Sequence, residues 1–386
     1  MTDAPRRTVY LDHGASSWPK PPGVVEAVAS AIADSGANPG RGAYAMGLAA
    51  SRLIFEARRD AAGLLGVSDS ADLAFLSGCT EGCNLMLKGV LRPGDRVVVS
   101  SVEHNAITRP LHVLEQRGVR VEVVDAGEHG VVDADRMEAV VRAEATRAVV
   151  CQHASNVTGA IQPIGDFADI AHSAGALLLV DGAQAAGHLP VDLGSLGADA
   201  WATSGHKGLL GPQGVGLLYL APGLDVEELT QGGTGGSSSD EPGQPNARPE
   251  RYEAGTPNTP GIAGLGAAVR YVAAHADELR AEERRLARRL HEGLLAIDGV
   301  RVLGPEPGEL RVPIVSAVPG GIDPDRVAFE LDRRYGIAVR AGLHCSPATH
   351  RTLGTLETGA LRFGVGYGVT EADIDFALAA IAEILA

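Results

Sequence analysis

The stretch DAWATSGHKGLLGPQGVGLLYL, residues 199–220, carries the strongest indication of how this chain folds. Apolar residues on both sides enclose a glycine-rich turn, and Lys207 stands inside that turn. The chain has 386 residues and 33 lysines and arginines, but only three of these are lysines: Lys20, Lys88 and Lys207. An arginine stays charged in almost any surroundings, whereas apolar surroundings can lower the pKa of a lysine and free its amine. The stretch therefore predicts two buried strands joined by a turn that presents a reactive amine.

Short apolar runs alternate with helix-like segments from about residue 70 to residue 220. The runs AVVC (148–151) and ALLLV (176–180) are continuously apolar, as expected for strands covered on both faces. Such an alternation indicates a mostly parallel sheet with helices on both sides.

Beyond residue 260 the pattern changes to a long charged helix followed by further strands and a closing helix. The segment DELRAEERRLARRLHEGLLAI (277–297) puts four leucines on one face, with many arginines on the other. We predict an α/β protein with a large domain over residues 20–258 and a smaller α+β domain formed by residues 1–19 and 259–386. The four leucines are Leu279, Leu286, Leu290 and Leu294.

Residues 231–250, QGGTGGSSSDEPGQPNARPE, are too rich in Gly, Ser and Pro for regular structure. Such a segment is either a flexible linker or, at about 20 residues inside a folded enzyme, a functional loop.

The totals exclude several classes of partner. A net charge of −15 argues against binding to nucleic acid or to an anionic membrane surface, since both need a basic face. The sequence contains neither the apolar core of a signal peptide nor a run long enough for a membrane span, so a cytoplasmic protein is expected. The four cysteines are expected to be free thiols. Cys79 and Cys83 lie four apart without a matching second pair, so no metal site is expected.

Polar residues follow the apolar runs, and in a parallel sheet the carboxyl ends of the strands form the ligand-binding edge. His104, Asn156 and Asp181 stand at three such ends, and a small-residue turn before Thr80 opens a helix whose free N–H groups suit a phosphate. Thr80 is alternatively a simple N-cap, and Asp181 a paired structural carboxylate.

Together, these residues match what one cofactor needs for binding. A phosphate cradle, an Asp for a ring nitrogen and a Schiff-base lysine are what pyridoxal phosphate (PLP) needs. A protonated His206 beside Lys207 would lower the pKa of the lysine and make its amine nucleophilic towards carbonyls. The sequence has neither the Rossmann nor the P-loop glycine pattern that would favour a nucleotide.

The stretch LLLVDGAQAAGHLPVDLGSLGADAWATSGHKGLLGPQGVGLLYL resembles the core of class V aminotransferase-fold PLP enzymes, most of all the group II (SufS-like) cysteine desulfurases and selenocysteine lyases. The resemblance extends in order through TEGCNLMLKG, SSVEHNAITRPL, QHASNVTGAIQPI, RYEAGTPNTPGIAGLGAAV and YGIAVRAGLHCSP. It implies the fold of type I PLP-dependent transferases, PLP as the cofactor, and a homodimer with shared active sites.

The resemblance also implies a role for each matching residue. Lys207 carries PLP as a Schiff base and moves the α-proton, Asp181 pairs with the ring nitrogen, and His104 stacks on the ring. Gln184 lies near the phenolic oxygen, and the phosphate site includes Thr80, Glu81, Ser204, His206 and, from a second subunit, Thr256. Asn156, Arg340 and Arg362 lie on the substrate side, where a guanidinium fork suits a carboxylate.

Cys345 in RAGLHCSP decides the reaction, because it matches the persulfide-forming cysteine of the family. Lying after a strand and among small residues, it is expected in an exposed loop, where Arg340 and His344 would favour its thiolate. The resemblance implies conversion of L-cysteine to L-alanine, with the sulfur held as a Cys345 persulfide and passed to an acceptor protein.

Four residues depart from the family pattern: His13, Gly14, Gly40 and Tyr44. Because they fall on the expected substrate side, two alternatives stay open. One is another PLP reaction on an amino acid, namely a C–S lyase, epimerase or aminotransferase. The other is a PLP-free relative that acts as a binding protein.

Overall fold

A computed structural model describes residues 8–40, 44–234 and 242–386 of the chain. The strands are β1 (Val9–Tyr10), β2 (Leu73–Leu76), β3 (Arg96–Ser100), β4 (Arg120–Val124), β5 (Ala148–Gln152), β6 (Leu177–Asp181), β7 (Ala200–Ser204), β8 (Gly216–Leu220), β9 (Val300–Leu303), β10 (Ile314–Pro319), β11 (Ile337–Ala338), β12 (Arg340–Gly342) and β13 (Ala360–Gly364). The helices are α1 (Val24–Ala33), α2 (Ala45–Leu64), α3 (Cys79–Val90), α4 (Asn105–Glu115), α5 (Ala134–Ala143), α6 (Ile164–Ser173), α7 (Leu193–Leu196), α8 (Thr259–Leu295), α9 (Pro324–Glu330), α10 (Pro347–Thr352) and α11 (Glu371–Leu385).

Seven strands form the central sheet in the order β2-β8-β7-β6-β5-β3-β4. β8 runs antiparallel to both of its neighbours, β2 and β7, and the remaining pairs are parallel. The six strands other than β8 therefore point the same way. The α/β class and the mostly parallel sheet are confirmed, and the stretch 199–220 supplies two adjacent central strands.

Helices cover both faces of this sheet. Val149, Leu178 and Trp201 pack with α2, α5 and α6 on one face. Val150 and Leu179 pack with α3 and α4 on the other. Alternate residues of one strand thus enter two different cores, which is why the runs 148–151 and 176–180 read as continuously apolar.

A second, antiparallel sheet has the order β12-β13-β10-β9, and β1 pairs in parallel with β11 beside it. Helix α8 spans both regions and bends at His275, where the backbone leaves helical geometry. Leu286, Leu290 and Leu294 pack into the core of the second sheet, whereas Leu279 packs against a separate small cluster that contains Val24 and Leu210. One leucine face is therefore divided between two cores, and the boundary at residues 258/259 stays a prediction.

Within residues 231–250, positions 235–241 lie outside the described residues. The choice between a flexible linker and a functional loop is therefore not decided there. Within the described part, Arg248 donates hydrogen bonds to Asp72 and to the carbonyls of Leu220 and Ala221. No helix among the described ranges is long and apolar enough to cross a membrane.

Candidate active site

A cavity of about 200 Å³ lies at the carboxyl ends of the parallel strands, where ligands bind in sheets of this kind. The structure brings ten of the predicted site residues to its wall. They are Thr80, His104, Asn156, Asp181, Gln184, Ser204, His206, Lys207, Arg340 and Arg362.

The strand ends explain this convergence. Asp181 is the last residue of β6 and Ser204 the last of β7, and the two strands are paired so that Asp181 lies opposite Ala202. Lys207 follows in the turn, where its carbonyl accepts a hydrogen bond from the Leu210 N–H at 2.8 Å. Residues scattered over the sequence therefore meet at one edge because their strands are parallel neighbours.

The surroundings of Lys207 lower the pKa of its amine, chiefly through burial, with Asp181 opposing the shift. The direction agrees with the sequence prediction, but the cause differs. Burial also lowers the pKa of His206, to about 4, so at neutral pH His206 is not the cation that the sequence argument invoked. Desolvation makes the amine available, because it disfavours the charged form.

Asp181 is almost fully buried at 4% exposure. Its Oδ1 accepts hydrogen bonds from the Ala183 N–H at 2.9 Å and from the Cys79 thiol at 3.2 Å. Among the described residues Oδ2 has no hydrogen-bond partner. A buried carboxylate with one free oxygen suits a cationic or N–H-bearing ligand.

The N-terminus of α3 forms one end of the cavity. Its first N–H, that of Cys79, donates to Ser204 Oγ at 3.0 Å, and Thr80 lines the cavity in the next position. Glu81 lies outside the cavity wall. Its carboxylate accepts hydrogen bonds from the Ser77 N–H and hydroxyl, both at 2.7 Å, as a capping residue does. The side chain of Glu81 therefore stabilises the start of α3, and its predicted cofactor contact stays a prediction.

His104 caps helix α4, where its Nδ1 accepts a hydrogen bond from the Ala106 N–H at 3.0 Å. This bond leaves the proton on Nε2, and burial lowers the pKa of the ring to about 4. His104 is therefore a neutral imidazole in a fixed orientation at neutral pH.

Three buried polar atoms of the cavity residues have no partner among the described residues: Gln184 Oε1, His206 Nδ1 and Arg362 Nε. The Gln184 amide nitrogen already donates to the Gly14 carbonyl at 2.8 Å, so the free atom of Gln184 is an acceptor. Unpaired buried polar atoms are costly and uncommon in folded proteins. Their concentration here indicates a bound polar ligand that would satisfy them.

Arg362 lies at the bottom of the cavity with 1% exposure. Its guanidinium pairs with Asp12 Oδ1 at 2.8 Å and donates to the Asn156 carbonyl at 3.1 Å. These contacts fix the orientation of the fork and leave Nε free, an arrangement that suits an anionic ligand.

Both polar atoms of the Asn156 side chain contact the loop that carries Cys345. Nδ2 donates to the His344 carbonyl and Oδ1 accepts from the Ser346 hydroxyl, each at 2.7 Å. Asn156 therefore holds the residue before and the residue after Cys345 by hydrogen bonds. One N–H of Nδ2 has no partner among the described residues, and Asn156 lines the cavity, so its predicted role towards the substrate carboxylate stays a prediction.

Cys345 is exposed, as predicted, in the loop between β12 and α10. It does not line the cavity, but Arg340, which does, approaches its Sγ to 3.4 Å. His344 contributes no charge, because burial lowers the pKa of its ring to about 2. The part of the sequence argument that gave His344 a positive charge is therefore wrong.

His344 and Cys345 have φ angles of 53° and 58°. Consecutive left-handed residues other than glycine are strained. Contacts from outside the loop, such as the 2.8 Å hydrogen bond from the Asn105 N–H to the Cys345 carbonyl, hold this conformation. The loop is thus built to present the thiol.

Thr256 is exposed and lies in a different cavity together with Gly40. Of the departures from the family pattern, Gly14 lines the active-site cavity, whereas Gly40 and Tyr44 do not. His13 is buried with both ring nitrogens unpartnered among the described residues.

Sequence reasoning missed Cys79 and Gln152, which also line the cavity, and Asp12, which pairs with Arg362. Cys79 and Gln152 adjoin the strand-end positions that drew attention, so the strand-end rule could have included them. The Asp12–Arg362 pair joins residues 350 positions apart, and no local pattern indicates it.

A family model described as "Aminotransferase class-V" matches residues 9–376. A probable cysteine desulfurase of Methanothermobacter thermautotrophicus is 38% identical over 385 residues, covering 98% of this chain and 95% of that protein. An apo structure of the cysteine desulfurase from Thermococcus onnurineus NA1 has a TM-score of 0.91 at 30% identity, covering 98% of this chain and 94% of that one. The Escherichia coli cysteine desulfurase CsdA, in an S-sulfonic acid form, has a TM-score of 0.87 at 31% identity with the same coverage. The chain therefore belongs to the class-V aminotransferase family.

Proposed function

We propose that this protein is a PLP-dependent cysteine desulfurase, which converts L-cysteine to L-alanine and holds the sulfur as a persulfide on Cys345. The observation that carries this proposal is the exposed Cys345 thiol beside Arg340, at the edge of a cavity that contains a buried amine and a buried carboxylate. Family membership and the desulfurase relatives agree with it.

The residues of the cavity fit PLP. Lys207 has an amine of lowered pKa for the aldehyde, and Asp181 has a free carboxylate oxygen for the ring nitrogen. Thr80, Ser204 and His206 surround the N-terminus of α3, where a phosphate is stabilised by free N–H groups and by the helix dipole. The unpartnered Gln184 Oε1 and His206 Nδ1 would gain partners from such a ligand.

When bound, PLP supplies an electron sink for negative charge at the substrate α-carbon. Lys207 is the base that takes the α-proton, since its amine is desolvated. Arg362 binds the substrate carboxylate through its free donors. Neutral His104 holds a proton on Nε2 that can be donated within the cavity.

The Cys345 thiolate then attacks the sulfur of the substrate. A bond forms between Cys345 Sγ and the substrate sulfur, and the bond between that sulfur and Cβ breaks. The electron pair of the broken bond stays on the carbon side, and protonation there gives alanine. Arg340 stabilises the negative charge on sulfur, because its guanidinium lies next to Sγ.

We further propose that the protein is cytoplasmic and forms a homodimer in which Thr256 reaches the active site of the partner. A sulfur-acceptor protein would collect sulfur from exposed Cys345. Thr256 lies outside the cavity of its own chain, and Cys345 is open to a partner.

The test measures alanine and persulfide formed from L-cysteine by the wild type and by Cys345→Ser. We expect the variant to keep cofactor absorbance and to lose at least about 100-fold in rate, because a hydroxyl is a much weaker nucleophile towards sulfur. Full activity of Cys345→Ser would exclude the persulfide step. Release of pyruvate instead of alanine would favour a C–S lyase, racemised substrate would favour an epimerase, and a keto acid formed by amino transfer would favour an aminotransferase. A protein that takes up no PLP would be a binding relative.

A further inference from the structure

Two thiols and a carboxylate converge at the base of the active-site cavity. Cys79 Sγ lies 3.7 Å from Cys83 Sγ and 3.2 Å from Asp181 Oδ1. All three ligand atoms lie within 4.8 Å of one another. The cysteines are one helical turn apart on α3 and share a face, and Asp181 approaches them from the end of β6.

These separations are close to those of ligands on one tetrahedral zinc ion. With Zn–S bonds of about 2.3 Å and a Zn–O bond of about 2.0 Å, two thiolates lie about 3.8 Å apart and a thiolate lies about 3.5 Å from a carboxylate oxygen. The two measured distances differ from these values by about 0.1 and 0.3 Å. The third pair of ligand atoms, on Cys83 and Asp181, lies within 4.8 Å, so it has to approach by at most about 1.3 Å to reach the same value.

The surroundings favour an ion over an empty cluster. Cys79, Cys83 and Asp181 have exposures of 4%, 0% and 4%, and Asp181 Oδ2 lacks a partner among the described residues. Without an ion the Cys79 thiol keeps its proton and donates to Asp181 Oδ1 and to the Ala202 carbonyl. A divalent ion that displaced the thiol protons would compensate the charges of the buried carboxylate and of the two thiolates. Cys79 and Asp181 line the cavity, so two of the three ligand residues are in contact with it.

We propose that Cys79, Cys83 and Asp181 form a binding site for a thiophilic divalent cation, Zn²⁺ or Cd²⁺, and that the ion and the cofactor exclude each other. Binding forms two metal–thiolate bonds and one metal–carboxylate bond, and it releases the two thiol protons to solvent without any change of oxidation state. Exclusion follows because an ion on Asp181 would neutralise the carboxylate charge that pairs with the ring nitrogen of the cofactor and would place a second positive charge beside it. Ion binding is independent of the proposed function, whereas the exclusion rests on it.

The test titrates full-length protein with Cd²⁺, before and after removal of its PLP, and follows the ultraviolet absorbance of cadmium–thiolate bonds together with bound metal after dialysis. A Cys345→Ser background removes the exposed thiol from the measurement. We expect one ion per chain in the PLP-free protein and an affinity at least about tenfold lower in Cys83→Ser. Cys151→Ser is the matched control, because Cys151 is equally buried but lies in β5, outside the cluster. It should bind the ion as the parent does.

Cys79→Ser is the second variant, since serine keeps a hydrogen-bond donor for Asp181 but loses the soft ligand, and circular dichroism checks that each variant is folded. Equal affinity in folded Cys79→Ser or Cys83→Ser, or no binding by folded PLP-free parent protein, would overturn the site. Equal binding with and without PLP would overturn the exclusion. A protein that takes up no PLP yet binds Cd²⁺ through Cys83 would uphold the site while refuting the proposed cofactor.

Discussion

At the scale of single residues, Lys207 is the lysine that lines the active-site cavity, and burial lowers the pKa of its amine. Replacement by arginine keeps a positive charge and a similar length but removes the nucleophile, because a guanidinium stays protonated. We predict that Lys207→Arg loses the visible absorbance of bound PLP and falls in desulfurase rate by at least about 1,000-fold. Absorbance spectra and alanine assays measure both.

Lys88→Arg is the matched control for this substitution. Lys88 lies on α3 outside the cavity wall, so the same change there should leave the spectrum and the rate as in the wild type. A Lys207→Arg protein that keeps both would remove Lys207 from the chemistry.

Glu103 is a second unusual residue, because it is fully buried next to His104. Its Oε2 has no partner among the described residues, and burial raises the pKa of its carboxyl to about 8. The folded state then holds a proton between about pH 4.5 and 8 that the unfolded state has released. Because the unfolded state binds fewer protons in this window, Glu103 makes the free energy of unfolding fall as pH rises, by at most about 1.4 kcal/mol per pH unit.

Glu103→Gln replaces the neutral acid by an amide of the same shape that cannot ionise. We predict that the free energy of unfolding of the variant, measured with urea, falls less between pH 5 and pH 8 than that of the wild type. The buried histidines have lowered pKa values and act in the opposite direction below about pH 6.5, but they are common to both proteins and cancel in the comparison. Parallel pH profiles for the two proteins would mean that Glu103 is ionised in the folded state.

At the scale of elements, the segment after β5 contacts the loop after β12 through Asn156, whose amide holds the residues on both sides of Cys345. We predict that Asn156→Ala lowers kcat with little change in KM and leaves PLP absorbance intact, because the strained loop loses two buried hydrogen bonds. The free energy of unfolding should fall by about 1–3 kcal/mol. Steady-state kinetics with L-cysteine and urea unfolding measure these changes.

Asn105→Ala is the control, since the Asn105 contact with the loop runs through its backbone N–H and survives the substitution. If Asn156 instead binds the substrate carboxylate, Asn156→Ala raises KM at constant kcat, and the positioning role is refuted.

The same elements indicate how far the sequence could be read. The strand ends were predictable for two reasons. A strand buried on both faces has a continuous apolar sequence, and parallel strands place the residues that follow them at one edge of the sheet. The hydrogen-bond partner of a given side chain was not predictable from the sequence. The Glu81 carboxylate bonds to Ser77, the Asn156 amide bonds to the Cys345 loop, and His206 is neutral. These outcomes depend on burial and on contacts that exist only once the sheet has formed.

At the scale of the whole molecule, helices α1 and α2 present large apolar side chains to solvent. Val25, Ile32, Leu48 and Phe55 are 65%, 61%, 59% and 60% exposed. Large apolar side chains exposed on two consecutive helices are typical of a surface that a partner covers. The proposed homodimer would cover it and would bring Thr256 to the active site of the partner.

We predict that Phe55→Glu shifts the protein from dimer to monomer in sedimentation velocity and weakens PLP binding, because a charge buried without a partner in an interface costs several kcal/mol. Phe329→Glu is the matched control: Phe329 is 58% exposed but lies on α9, away from α1 and α2, so its replacement should leave both properties unchanged. A monomeric Phe55→Glu protein that binds PLP as tightly as the wild type would show that each chain completes its own cofactor site, and Thr256 would then have no role across the interface.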